Sequence, residues 1–328
     1  MSKYKVLVAD AIAEAGVEEL QAAPELEVDV RTEIAADELL ADAAEYHAII
    51  VRSRTQIPAE VLDKAERLKV VGRAGVGVNN VDIPAATKNG VIVMNTPTGN
   101  TISTAEHAFS LMCSLSRKIP QAHAKVASGG WDRSKYKGVE LNKKTLAVLG
   151  MGRIGTEFAR RAMAFGMRVV AFDPYLSPSR ARALQVELCE SIDDALAVAD
   201  FITLHMPYNE ETHHLLDSER LAKCKKGVRI VNCARGGLVD EQALYDALKS
   251  GHVAGAALDV FEESEPPPPE LPLLEMENVV FTPHLGASTA EAQETVGIEI
   301  ARNVRNYLVE GTIVNSVNTP SIDGKTAE

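Results

Sequence analysis

Residues Gly150-Met151-Gly152-Arg153-Ile154-Gly155 stand between two sharply different patterns. Before them runs Thr145–Leu149 (TLAVL), a continuous apolar stretch of strand length. After them Ile154, Phe158, Ala162 and Phe165 recur at helical spacing, and Gly166 can terminate that helix. A GxGxxG pattern alone is weak. Between a strand and a helix, with Asp173 placed 18 residues after Gly155 at the end of the next apolar run, it has the context of a dinucleotide-binding turn. Gly150 permits the tight turn, Gly152 lets the backbone approach a pyrophosphate, and Gly155 allows helix to pack on strand. The pyrophosphate then meets free N–H groups at a helix start. The Asp173 carboxylate can accept from both ribose hydroxyls and would repel a 2′-phosphate, so NAD is expected rather than NADP. The competing reading is a turn that needs its glycines only for packing.

The rest of the chain repeats this alternation. Lys5–Ala9, Glu27–Arg31, His47–Val51 and Leu68–Val71 read as strands, with helices at Ala35–Ala44 and Pro58–Ala65. A second series continues through Arg168–Phe172, Phe201–Leu204, Val228–Val231, Val253–Leu258 and Val279–Phe281. Helices are read at Ile102–Arg117, Asp240–Lys249 and Thr289–Leu308. Strand and helix in alternation predict α/β architecture with doubly wound parallel sheets. The length, 328 residues, suits two domains at roughly 100–200 residues each. Glu265–Glu270 (EPPPPE) reads as a stiff surface loop, and Gly129–Gly138, which holds the only Trp, as an arm or linker.

Composition removes several classes. Apolar residues at 46% and charged residues at 24% are ordinary for a folded soluble domain and exclude disorder and collagen. A formal net charge of −12 argues against nucleic acid as a partner. No apolar run approaches the ~18 residues of a membrane span, so no membrane partner is expected. Met1–Asp10 reads as a strand and not a signal peptide, which points to the cytoplasm. Cys113, Cys189, Cys224 and Cys233 have neither zinc-site nor disulfide spacing, and no metal is expected.

Chemistry at a bound dinucleotide belongs at the C-terminal ends of parallel strands. Arg235, in Asn232-Cys233-Ala234-Arg235-Gly236-Gly237, has a fork suited to a carboxylate. A surface Arg in a Gly-rich loop would look the same. His284, in Thr282-Pro283-His284-Leu285-Gly286, can exchange a proton near neutrality. His205 occupies a similar strand end and warns against reading too much into one histidine. His213 and His214 lie in a polar stretch and read as surface residues. A carboxylate beside His284 would orient its ring; Glu262, Glu263 and Glu265 all follow Asp259-Val260-Phe261, and the pattern does not choose among them.

Taken together, GMGRIG at Gly150, NCARGG at Asn232, ALDVF at Ala257 and TPHLGAST at Thr282 resemble the NAD-dependent D-2-hydroxyacid dehydrogenases. VRSRT at Val51 and GRAGVGVNNVD at Gly72 extend the resemblance over essentially the whole chain. GNTISTAEH at Gly99 and GGWDRSKYKGVELNKKTL at Gly129 resemble the members that act on a phosphorylated acid. The resemblance implies a Rossmann NAD-binding domain, residues 99–285, inserted in a flavodoxin-like substrate-binding domain, residues 1–98 and 286–328. It implies Arg235 on the substrate carboxylate, His284 as acid and base, and a Glu before Pro beside that His. The family has two residues between DVF and Glu-Pro, and this chain has one more. Counting from Arg235 lands on Ser264, while anchoring on Glu-Pro selects Glu265, with Glu263 in reserve.

The resemblance further implies cofactor contacts at Gly150, Gly152, Arg153, Ile154, Gly155, Asp173, Met206, Cys233 and Asp259. Substrate contacts are implied at Arg52, Ser53, Val76, Gly77 and Asn100, more weakly at Arg73 and Arg133. The activity implied is oxidation of 3-phospho-D-glycerate to 3-phosphohydroxypyruvate, the first step of L-serine biosynthesis, by a homodimer or higher homo-oligomer. The alternatives are a glyoxylate or hydroxypyruvate reductase, or another D-2-hydroxyacid dehydrogenase, and then a nicotinamide-sensing, corepressor-like module. Full-length members often carry a further C-terminal regulatory region, and 315–328 falls about where it would begin, so serine feedback is not expected of this chain.

Overall fold

The computed structural model describes residues 3–319. It divides into two compact units, 1–100 with 287–328, and 101–286. The divisions fall at Asn100/Thr101 and Gly286/Ala287, against 98/99 and 285/286 in the sequence reading. The C-terminal stretch that begins at Asn315 lies outside the described residues beyond Thr319.

The first unit carries strands β1 (Tyr4–Val8), β2 (Leu26–Val30), β3 (Ala48–Val51), β4 (Val70–Arg73) and β5 (Ile92–Met94). They form one parallel sheet in the order β2-β1-β3-β4-β5, the flavodoxin-like winding. Its two faces bury separate cores. One is built on Leu7, Ile49, Val71 and Val93, the other on Val6, Val8, Ile50 and Val70. The long helix Ala290–Glu310 returns to this sheet and contributes Val296, Ile300 and Val304 to the second core. Sequence order alone does not announce that return. Gly16 and Gly297 permit it, because a Cβ on Gly16 would sit 2.6 Å from the Gly297 carbonyl oxygen.

The second unit carries β6 (Thr145–Leu149), β7 (Arg168–Phe172), β8 (Glu187–Leu188), β9 (Phe201–Leu204), β10 (Val228–Asn232), β11 (Val253–Leu258) and β12 (Val279–Phe281). Their order is β12-β11-β10-β9-β6-β7-β8, and each pairing of neighbours is parallel. This is the Rossmann winding with an added edge strand, and the order reverses between β6 and β9. β6 is buried at all five positions, which is why it reads as an uninterrupted apolar run. The sheet is covered by the helices Thr101–Arg117 and Arg153–Ala164 on one face. Glu241–Lys249 and Ile192–Val198 lie on the other. Several short elements escape the sequence reading: the helices Ile83–Lys88, Ile119–Ala127, Pro178–Ala183, Ile192–Val198 and Ser218–Lys223, the three-residue strand β5 and the two-residue strand β8. Gly129–Gly138 holds no helix or strand. Among the described residues no helix is long and apolar enough to cross a membrane.

Candidate active site

The glycine turn closes at the reversal point of the seven-stranded sheet. Gly150 has φ +96, and a Cβ there would meet the His205 carbonyl oxygen at 2.6 Å. A Cβ on Gly155 would lie 2.1 Å from the Gly150 oxygen, so only glycine lets this helix approach its strand. Gly152 is different. It is exposed, N-caps the helix Arg153–Ala164 without a side-chain acceptor, and has nothing within 4 Å of its Cβ direction. The backbone is therefore bare where an anion would meet the helix N-terminus. Arg153 beside it is exposed and Ile154 half-buried. Asp173, at the end of β7, accepts from Met151 N–H at 2.7 Å and Tyr175 N–H at 2.8 Å. Two backbone donors fix its orientation, and each carboxylate oxygen keeps a lone pair for a ribose hydroxyl. These residues fit a dinucleotide.

His284 follows β12 with φ +54, a left-handed backbone that costs a non-glycine residue on the order of 1–2 kcal/mol. Its Nδ1 lies 2.5 Å from Glu265 Oε2, which leaves Nε2 as the nitrogen for proton exchange. The carboxylate against His284 is thus that of Glu265, while Glu262 bonds to His214 at 2.7 Å. The extra residue in the loop is accommodated without displacing the Glu-Pro pair. A cavity of about 500 Å³ beside the pair is lined by Phe261, Glu265, Phe281, Thr282 and His284. Arg235 lies in the loop after β10, whose Asn232 side chain donates to the Arg235 carbonyl at 2.8 Å. Burial lowers the pKa of its guanidinium, opposed by the nearby Glu265 charge. A half-desolvated guanidinium of this kind gains by taking up a carboxylate.

Asp259 takes a place that its reading as a cofactor contact does not anticipate. It is fully buried, and its carboxylate accepts from Thr282 Oγ1 at 2.5 Å, Leu285 N–H at 2.7 Å and Gly286 N–H at 2.9 Å. His107 Nε2 lies 3.1 Å from the same group. Burial pushes the carboxyl up, but the bonds from His107, Thr282 and Leu285 outweigh it and hold it below the ordinary carboxylate range. Asp259 therefore clamps the backbone immediately after His284. His107 is one residue that sequence reasoning missed; its only signal is its place at the end of the Gly99–His107 segment. Met206 is half-buried, packed against the core. Cys233 is buried, and burial, followed by the Asp259 charge, raises its thiol pKa well above the ordinary value. His205, the comparison histidine, is held neutral: burial pushes it down to about 3, and its Nε2 meets Thr203 Oγ1 at 2.9 Å.

In the first unit Arg52 lines a cavity of about 530 Å³ together with Glu14, Glu18 and Glu294. Its loop is held by buried Asp10, which accepts from Arg52 N–H at 2.6 Å and from Thr55 Oγ1 at 2.7 Å. Asn80 donates to the carbonyls of Arg52 and Thr55, each at 2.7 Å. Ser53 is exposed, and Val76 and Gly77 are half-buried in the turn after β4. The Val76 carbonyl accepts from Asn95 at 2.7 Å. The buried Oδ1 of Asn100 has no hydrogen-bond partner among the described residues. Arg73 is half-buried and Arg133 exposed.

Comparison with known proteins decides the family. Residues 109–286 match the model of the D-isomer specific 2-hydroxyacid dehydrogenase NAD-binding domain. The chain belongs to the D-isomer specific 2-hydroxyacid dehydrogenases. As a member of that family it takes NAD as its cofactor, through the domain that carries Gly150–Gly155. It is 50% identical over 319 residues to the D-3-phosphoglycerate dehydrogenase of Archaeoglobus fulgidus, covering 97% of this chain and 60% of that one. The chain thus spans about 60% of the length of that dehydrogenase. Among solved structures it resembles the TT0316 protein of Thermus thermophilus, with a TM-score of 0.86 and 36% identity over 95% of this chain and 99% of that one. It also resembles a glyoxylate reductase from Paecilomyes thermophila, with a TM-score of 0.86 and 31% identity over 97% and 99% of the two chains.

Proposed function

We propose that this dehydrogenase oxidises 3-phospho-D-glycerate to 3-phosphohydroxypyruvate, the reaction that opens L-serine biosynthesis. The observation that carries the choice of substrate is the 50% identity to a D-3-phosphoglycerate dehydrogenase along 97% of the chain. The observation that carries the chemistry is the pairing of His284 Nδ1 with Glu265 at 2.5 Å.

NAD, when bound, supplies the hydride acceptor. The remaining tasks belong to side chains. His284, oriented by Glu265 through Nδ1, takes the proton of the C2 hydroxyl at Nε2 and returns it in the reverse direction. Arg235 anchors the substrate carboxylate and polarises the C2–oxygen bond. N–H groups at Val76 and Gly77 hold the carboxylate, Asn100 offers its unpaired oxygen, and Arg52, with Ser53 beside it, takes the phosphate. The unit 1–100 with 287–328 is then the substrate-binding domain.

The three glutamates that share the Arg52 cavity favour testing a second reading, reduction of an unphosphorylated 2-keto acid such as glyoxylate or hydroxypyruvate. Arg52→Gln separates the two. Under the first reading it raises KM for the phosphorylated substrate at least about tenfold, a loss of about 1.4 kcal/mol, and leaves KM for hydroxypyruvate unchanged. Equal effects on both remove the phosphate role from Arg52. The same reading makes the chain a cytoplasmic homodimer; light scattering that returns the mass of one chain contradicts the dimer.

A further inference from the structure

Outside the site just described, one group of side chains among the described residues lies close enough together to share a metal ion: His213, His214 and Glu262. Their ligand atoms all lie within 4.8 Å of one another. His213 Nε2 is 3.5 Å and His214 Nε2 2.7 Å from the same Glu262 oxygen, Oε1. Consecutive residues of an extended chain point their side chains apart. Here the two imidazoles stack, with centroids 3.9 Å apart and planes 21° from parallel, because His214 has φ +48. Both Nε2 atoms consequently face one carboxylate.

The scaffold beneath them is tied down on each side. The His213 N–H donates to the Asn209 carbonyl at 2.9 Å, closing a turn that Thr212 reinforces by donating to the Pro207 carbonyl at 2.8 Å. The His214 N–H donates to the Gly237 carbonyl at 2.7 Å. The Glu262 N–H donates to Glu241 Oε1 at 3.0 Å. On the far side of the His214 ring, Nδ1 faces Asp240 Oδ2 at 3.8 Å. In the metal-free protein Nε2 carries the proton of its bond to Glu262; when a metal takes that proton's place, Nδ1–H is left facing the Asp240 carboxylate, the kind of outer partner found behind a metal-bound histidine.

We infer that His213, His214 and Glu262 form a binding site for a zinc-class divalent cation. Two imidazoles and one carboxylate are a zinc donor set, with a fourth position left for water. The same set suits Co²⁺, Ni²⁺ and Cu²⁺ and disfavours Mg²⁺ and Ca²⁺, which need an oxygen shell. To bind one ion the stacked rings must turn out of parallel, so that both in-plane Nε2 lone pairs converge, as the His–Glu hydrogen bonds are exchanged for bonds to metal. The site is independent of the substrate reading, since none of its three ligands is placed in the reaction.

The test titrates the whole chain, stripped of metal, with Zn²⁺ against a chromophoric chelator. Wild type is expected to bind one ion that His213→Ala and Glu262→Gln each weaken by about tenfold or more. Mg²⁺ in large excess should not displace it. Co²⁺ in its place should give the visible bands of a nitrogen and oxygen site, without thiolate charge transfer, which separates it from Cys113 and Cys189. Unfolding of the metal-free variants at the wild-type temperature shows that the fold is intact. The inference is overturned if wild type binds no Zn²⁺, if both variants bind it as wild type does, or if cobalt reports sulfur ligands.

Discussion

Replacing Asp259 by Asn removes the clamp behind His284 while keeping its size. The carboxylate accepts on both oxygens, from Thr282 and Leu285 on Oδ1 and from Gly286 on Oδ2. An amide has one acceptor, so either Gly286 N–H or the Thr282–Leu285 pair faces an NH₂ group. A buried donor left unsatisfied costs about 1–3 kcal/mol, and the surviving bonds lose the charge that roughly doubles their strength. Together these predict about 3 kcal/mol. For a domain the size of 101–286 that lowers Tm by roughly 6–12 °C. The pH dependence has a definite sign. The Asp259 carboxyl is held below its ordinary value of 3.8, so its contribution is present above that pH and is lost as pH falls through the depressed value. The gap between wild type and Asp259→Asn should be full at neutral pH and close in acid. Turnover should fall as well, because the left-handed backbone of His284 loses the anchor beside it. Thermal unfolding by circular dichroism at several pH values is the assay. A variant that unfolds within about 2 °C of wild type at neutral pH, yet has lost NAD affinity, would refute the clamp and make Asp259 a direct cofactor contact.

Other perturbations address separate parts of the account. Asp173→Ala should weaken NAD and relax discrimination against NADP, read as the ratio of kcat/KM for the two cofactors; an unchanged ratio counts against Asp173 at the ribose. Gly155→Ala places a methyl 2.1 Å from the Gly150 carbonyl and should lower both Tm and NAD affinity, whereas Gly152→Ala, with open space around it, should leave Tm unchanged and weaken NAD alone. Equal Tm losses in the two variants would mean that the turn needs its glycines only for packing. Glu265→Gln should lower kcat by about 10²-fold, within the usual range for general acid–base assistance, and Glu263→Gln should not. The reverse result would assign the reserve residue instead.

Much of this was legible because parallel strands buried on both faces announce themselves. β6, β7, β9, β11 and β12 match their sequence-derived limits, and each is an apolar run of strand length. The helix Ile83–Lys88 is six residues with a single buried position, Ala86, too short for a periodic stripe. β8 is two exposed residues, paired only at the sheet edge. Among site residues, the motif positions Gly150, Gly155, Arg235 and His284 carry their own local context. The choice of Glu265 over Glu263 needed the family's Glu-Pro pair. The Asp259–His107 contact spans 152 positions, and no local pattern encodes a partner that far away. Asp10 and Asn80, which hold the Arg52 loop across 42 and 28 positions, were missed for the same reason.

The central claim is that His284, Glu265 and Arg235 serve a phosphorylated three-carbon acid. Its most direct test follows NADH absorbance in the reductive direction, the favoured one, with phosphohydroxypyruvate, hydroxypyruvate, glyoxylate and pyruvate in parallel. The account predicts a kcat/KM for phosphohydroxypyruvate well above the other three. A preference for any unphosphorylated acid would keep the fold and the proton chemistry of His284, and would contradict the substrate.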